Sequence, residues 1–110
     1  MLKGKVYISA AAMITSLGEG VHRNMDAVLS GESGVKLCTD PRVTQSSVMA
    51  GIIPEAVYAA LRVKYGEGYT RAELLAAECV KNVLADAPDG RTMMIVASAK
   101  GNVSLLEGRC

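Results

Sequence analysis

Two apolar segments constrain the fold of this sequence more than any other feature. Residues 5–11 (KVYISAA) combine β-branched and aromatic side chains, which is typical of a strand. Residues 92–98 (TMMIVAS) show no alternation of polar and apolar side chains, which predicts a strand buried on both faces, as in a parallel sheet covered by helices. Because a right-handed crossover joins neighbouring parallel strands, we expect these two main strands to lie parallel and side by side.

Two helices and a polar loop are predicted after the first strand. Glycines at 18 and 20 precede the first helix, and Gly31 is well placed to end it with a positive φ. The second helix has Pro54 in its first turn and ends at Gly66. Between them, residues 31–51 are predicted to be a loop, with a short exposed strand at SVMAGII. The apolar faces of the two helices are formed by Val21, Met25, Val28 and Leu29, and by Val57, Leu61 and Tyr65.

The strongest local signal predicts a third helix over residues 70–87. Thr70 and Glu73 form a capping box, in which each side chain bonds the other residue's backbone amide. Pro88 and Gly90 end the helix, and residues 100–108 are predicted to turn and begin another. One continuous apolar stripe is expected to pack on the sheet, formed by Ala72, Leu75, Ala76, Cys79, Val80, Val83, Leu84 and Ala87.

The predicted sheet is incomplete within this chain. The element order is β-α-(α)-α-β, which indicates an α/β fold in a single domain or fragment spanning residues 1–110. Buried strands need neighbours on their outer edges, and sheets commonly have about four to six strands. We therefore expect the missing strands beyond Cys110 or in a partner chain. Residues 1–18 also resemble a secretory signal, but Ser9 breaks the apolar run. A buried strand is the better interpretation of that run.

Charge and cysteine usage exclude several classes of protein. The net charge is +1 and the basic residues are scattered, which argues against nucleic-acid binding. Three distant cysteines and one histidine give no metal-ligand spacing, and free thiols indicate a reducing, cytoplasmic compartment. No stretch is long enough to span a membrane.

Two glycine-containing segments do not match cofactor-binding motifs. GEG at 18–20 is too short for a dinucleotide fingerprint, and SAKGN at 98–102 lacks the order of a phosphate loop, so we expect no cofactor.

Five segments, in order and spacing, resemble the amino-terminal part of the β-ketoacyl-acyl-carrier-protein synthases, which have the thiolase fold. They are ITSLG (14–18), GESGV (31–35), VMAGII (48–53), NVLADAP (82–88) and IVASAKGN (95–102). The chain departs from the family at SAAA (9–12), where glycines are usual. Ser16 replaces the Pro of the turn, Pro88 replaces a Gly, and Ala97 replaces the Gly after the second strand. These departures indicate a divergent branch.

The resemblance implies an acyltransferase of fatty-acid or polyketide-type synthesis, a 3-oxoacyl-acyl-carrier-protein synthase. In that family a cysteine takes the acyl chain, a decarboxylated malonyl unit attacks it, and two histidines assist. These residues follow later in the family pattern, so we expect no catalytic residue here and no activity from this chain alone. The implied partners are an acyl carrier protein or acyl thioester and further copies of the chain. A non-catalytic thiolase-fold subunit and a free-standing, oligomerising interaction module remain alternatives.

The individual candidate residues support that expectation. Cys110 follows no strand and precedes no glycine in this sequence, so we do not expect it to be a nucleophile. Cys79 lies on the apolar stripe and is predicted to be a core residue. Cys38 is expected to be accessible in a polar loop, and His22 to be solvated on the polar side of its helix. Lys100 is interpreted as part of a turn rather than an anion site.

Overall fold

The computed structural model describes residues 4–84 and 89–100. Within these ranges the chain is a mixed α/β protein with three helices and two small antiparallel sheets. The first sheet pairs β1 (Ile14–Thr15) with β2 (Gly18–Glu19), and the second pairs β3 (Val35–Cys38) with β4 (Val48–Gly51). The helices are α1 (Val21–Leu29), between the sheets, and then α2 (Glu55–Tyr65) and α3 (Arg71–Val83).

The predicted pair of parallel main strands is wrong. Neither residues 5–11 nor residues 92–98 form a strand, and every strand pair in the described ranges is antiparallel. Strand propensity becomes a strand only where a neighbouring strand supplies hydrogen bonds, and no strand pair in the described ranges includes either segment. Seven large apolar side chains are therefore exposed in these segments: Val6, Tyr7, Ile8, Met93, Met94, Ile95 and Val96.

Part of the predicted loop at 31–51 is instead a strand. The short exposed strand predicted within SVMAGII is confirmed as β4, and β3 pairs with it from Val35 opposite Gly51 to Cys38 opposite Val48. The four residues of β3 (VKLC) are mostly apolar, but the Gly, Ser, Thr and Asp around them favoured the prediction of a loop. Much of this hairpin is exposed.

The predicted end signals of the helices are largely confirmed. Gly31 and Gly66 follow α1 and α2 with φ angles of 79° and 102°. At the start of α3, the Glu73 amide donates to Thr70 Oγ1 at 3.2 Å, and the Thr70 amide donates to Glu73 Oε2 at 2.9 Å. The helix ends at Val83, earlier than predicted. Pro88, the predicted end of the helix, lies outside the described residues. The same is true of the helix predicted from residue 100 onward, except for Lys100.

The buried faces of α1 and α3 differ from the predicted apolar faces. The buried residues of α3 are Leu74 and Glu78. Ala87 of the predicted stripe lies outside the described residues, and its other members are half-buried or exposed: Ala72, Leu75, Ala76, Cys79, Val80, Val83 and Leu84. The reason is that α3 packs on α2, whose buried residues are Tyr58 and Leu61, rather than on a sheet. In α1 the buried residues are Asn24 and Ala27, while Met25, Val28 and Leu29 are exposed.

Candidate functional site

A hydrogen-bonded turn positions the first part of the candidate site. Thr15 and Gly18 pair across a two-residue loop, and Thr15 Oγ1 accepts a bond from the Leu17 amide at 3.1 Å. The Asn24 side chain is almost fully buried and fixes this turn to α1: its Nδ2 donates to the carbonyl oxygens of Gly18 (3.0 Å) and Gly20 (2.7 Å), and its Oδ1 accepts from Thr15. These bonds direct Ser16, at the tip of the turn, toward the β3–β4 hairpin.

Ser16 packs against two glycines of the hairpin, and we call this contact the turn–hairpin junction (Ser16, Gly34 and Gly51). A Cβ added to Gly34 would lie 2.1 Å from Ser16 Oγ and 3.1 Å from Ser16 Cβ. A Cβ added to Gly51 would lie 3.1 Å from the same oxygen. A side chain at Gly34 would therefore clash with Ser16, whereas at Gly51 the contact would be tight and Ser16 would have to shift slightly. Three of the five segments of the sequence resemblance, ITSLG, GESGV and VMAGII, meet at this junction.

A groove runs from the junction along the hairpin to the start of α2. Its first part is a cavity of about 400 Å³ lined by residues that include Ser16, Lys36 and Cys38. Its second part is a cleft of about 240 Å³ whose lining includes Arg42 and Arg71. Asp40, Ile52 and Pro54 line both parts, so the groove is continuous and has a mixed polar and apolar lining.

Four charged side chains of the groove, Asp40, Arg42, Glu55 and Arg71, are held in ion pairs. Arg42 holds both carboxylate oxygens of Asp40, with Nη2 2.7 Å from Oδ2 and Nε 3.1 Å from each oxygen. This side-chain hydrogen bonding lowers the pKa of Asp40 to about 2. Glu55 accepts from Arg62 at 2.9 Å and from Arg71 at 2.6 Å, and the Arg62 bond chiefly lowers the pKa of Glu55. Both carboxylates stay ionised near neutral pH, which suits them to binding rather than to proton transfer.

A second polar cluster joins α2 to α3. Glu78 is 8% exposed and accepts from Lys64 Nζ at 2.8 and 2.9 Å and from the Tyr65 hydroxyl at 2.6 Å. The Lys64 bond is the main cause of a lowered Glu78 pKa, and the bond to Glu78 raises the pKa of Tyr65. The Lys81 ammonium lies 6.0 Å from the Tyr65 ring. Since every buried polar atom here is paired, we assign the cluster a structural role in fixing the two helices together.

Of the candidate residues from the sequence that the structure describes, only Cys38 lines the groove. Cys38 is buried at the end of β3 and lines the cavity, so its predicted place in an accessible loop is wrong: pairing with Val48 holds it in the hairpin. Cys79 is half-buried rather than a core residue, and burial raises the pKa of its thiol. His22 is exposed and Lys100 lies in a bend. Cys110 lies outside the described residues.

Sequence reasoning did not identify the residues that shape this site. Ser16 and Gly34 were noted only as parts of a resemblance, and their contact joins distant parts of the chain. The Asp40–Arg42 pair had a usable signal, because Asp before Pro-Arg favours a turn in which the two side chains meet. Among residues 4–84 and 89–100, no group of three or more His, Cys, Asp or Glu side chains could hold a metal ion.

No helix within the described ranges has the length and apolar character needed to cross a membrane.

Comparison of the chain with protein-family models, with curated proteins and with solved structures found no match.

Proposed function

We propose that this chain is the amino-terminal part of a 3-oxoacyl-acyl-carrier-protein synthase-like condensing enzyme. The observation that carries the proposal is the turn–hairpin junction. Three segments that resemble the family at separate places in the sequence meet at this junction, and the turn approaches Gly34 and Gly51 closely there, although Ser16 itself stands where the family has Pro. Glycines that the chain shares with the family, and that serve one packing contact, support the proposal more strongly than a similar order of segments alone.

The exposed strand-type segments fit the same proposal. Residues 5–11 and 92–98 have the composition of buried strands but lie exposed in the described part of the chain. In a complete thiolase-like fold, further strands and helices would cover them. The exposed apolar side chains of the α3 stripe would be covered in the same way, since unpaired apolar surface of this extent is uncommon in a finished domain.

The chemistry of such an enzyme would lie outside these residues. Condensation needs a thiolate that attacks the acyl thioester, and the thiolate needs a lowered pKa. Burial raises the pKa of Cys79, which is the opposite of what a nucleophile needs, and the side chain of Cys38 is buried at the end of β3. The chain would therefore contribute scaffold to a cytoplasmic enzyme acting on an acyl carrier protein or acyl thioester.

A free-standing interaction module is the second candidate, and the same exposed segments favour it. In that case the apolar surface is covered by other copies of the chain. A non-catalytic partner subunit of the thiolase fold would share the scaffold without the nucleophile. The coding sequence beyond codon 110 separates these candidates. Further strands, a cysteine at a strand-to-helix turn and two later histidines support the enzyme, whereas a stop codon contradicts it.

The chain alone is expected to have no condensing activity. We expect no condensed product above the buffer control when it is mixed with acyl and malonyl thioesters, because Cys38 is buried and burial raises the pKa of Cys79. Mass spectrometry of the thioester products measures this directly. Cys110→Ser is the matched variant. Turnover that disappears in this variant would make Cys110 the nucleophile and would contradict the proposed location of the chemistry.

A further inference from the structure

The β3–β4 hairpin has one edge that nothing in its sequence protects. Within the described ranges, β3 and β4 pair only with each other, so each has an outer edge of unpaired N–H and C=O groups. Natural sheets protect such edges with charged residues, especially Lys, or with Pro. In β3 this protection is supplied by Lys36, but β4 (VMAG) contains neither a charge nor a proline. The open edge is therefore that of β4.

The hairpin also needs a further partner for stability. A two-stranded sheet alone is marginally stable in water and gains from a third strand. The face that carries Val35, Leu37 and Met49 is apolar and exposed, with Leu37 63% and Met49 61% accessible. An apolar strand added beside β4 would extend this face and reduce its exposure.

Residues 5–11 have the properties of that strand. Val6, Tyr7 and Ile8 are 87%, 77% and 91% exposed, and residues 5–11 make no backbone hydrogen bond to any other described residue. The other apolar segment is also exposed but already has a neighbour in the same copy, because Thr92, Met93, Met94 and Ile95 line a cleft against Val80, Val83 and Leu84 of α3. Among the described residues, residues 5–11 are therefore the better candidate for the added strand.

We propose that two copies of the chain exchange these segments, so that residues 5–11 of each copy pair with the edge of β4 in the other. Each copy carries one donor strand and one acceptor edge, and a reciprocal exchange about a two-fold axis satisfies both. The exchange gives each hairpin a third strand. The exchange concerns the 110-residue chain by itself, since in a complete thiolase-like fold residues 5–11 would be covered within one copy.

Charge substitutions test the donor strand in the full chain. Ile8→Glu is expected to weaken self-association at least about tenfold, because a carboxylate would have to be buried against an apolar face. Two controls have matched exposure: Val63→Glu on α2, where valine is 89% exposed, and Ile95→Glu, where isoleucine is 85% exposed. Sedimentation equilibrium should show unchanged association for both controls. Loss of association in Ile95→Glu but not in Ile8→Glu would overturn the proposal.

Crosslinking tests the acceptor edge. The photoreactive residue p-benzoylphenylalanine replaces Tyr7, and copies labelled with ¹⁵N are mixed with unlabelled copies so that links between copies have mixed labels. We expect mixed-label links from position 7 to residues 48–51. Links within one copy only, links to residues 92–98, or the absence of any link would contradict the exchange. None of these results bears on catalysis, so the two proposals can fail separately.

Discussion

Leu74→Ala is expected to destabilise the chain by about 3 kcal/mol, a typical cost for removing a fully buried leucine. Leu74 is 1% exposed and is the largest fully buried side chain in the described residues. The truncation leaves a cavity where α3 packs on α2. Urea denaturation followed by the helical circular dichroism signal measures the change as a lower midpoint.

Leu75→Ala is the matched control, since it makes the same chemical change one position along the helix. Leu75 belongs to the apolar stripe that the sequence predicts to be buried, but in the structure it is only half-buried. We expect a cost of about 1 kcal/mol or less, because less apolar surface is lost from the packed interior. A larger effect at Leu75 than at Leu74 would show that α3 presents the predicted face to the core.

Gly34→Val is expected to destabilise the turn–hairpin junction by about 2–3 kcal/mol, in the range for overpacking a close contact. The new Cβ would lie 2.1 Å from Ser16 Oγ and 3.2 Å from Leu17 Cγ. Gly34 does not have a positive φ, so valine is compatible with the backbone and the cost comes from the clash. A urea titration of the variant gives the change in free energy.

Ser16→Gly provides the test of that cause. Removing the Ser16 side chain takes away the clashing oxygen, so the double variant should regain part of the stability lost in Gly34→Val. The coupling energy from the double-mutant cycle should be about 1 kcal/mol or more, as for residues in direct contact. Additive effects of the two substitutions would show that Ser16 and Gly34 do not touch.

Signals confined to a few neighbouring residues predicted local structure well. The capping box of Thr70 and Glu73, the glycines that follow α1 and α2, and the strand within SVMAGII are all present. Each depends on backbone geometry or on hydrogen bonds within about one helical turn. Such interactions form in the same way whatever the rest of the chain does.

Predictions that needed a distant partner failed. The apolar periodicity of α3 shows which of its residues are hydrophobic but not which face of the helix is buried. That face depends on the packing of α3 on α2. Glu78 of α3 can be buried because Lys64 and Tyr65 of α2 donate hydrogen bonds to it. The same reason explains the two main strands. Their composition favours strand structure, but a strand also needs a neighbour, and no described residue provides one.

The groove could not be predicted from the sequence either. Its shape depends on the approach of Ser16 to Gly34 and on the burial of Cys38, and both follow from how the turn packs on the hairpin. Only the Asp40–Arg42 pair is local enough to have been anticipated. The segments of the resemblance contain Gly34 and Gly51, but they do not indicate that both glycines approach Ser16.

The claim that this chain carries strand segments in need of a partner is tested most directly by sedimentation velocity on the unmodified protein. Measured at several concentrations through the micromolar range, the weight-average sedimentation coefficient should rise with concentration, because exposed apolar strands and open sheet edges drive association. A coefficient that stays at the monomer value throughout, together with one cooperative unfolding transition, would contradict the claim. It would mean that 110 residues close their own core.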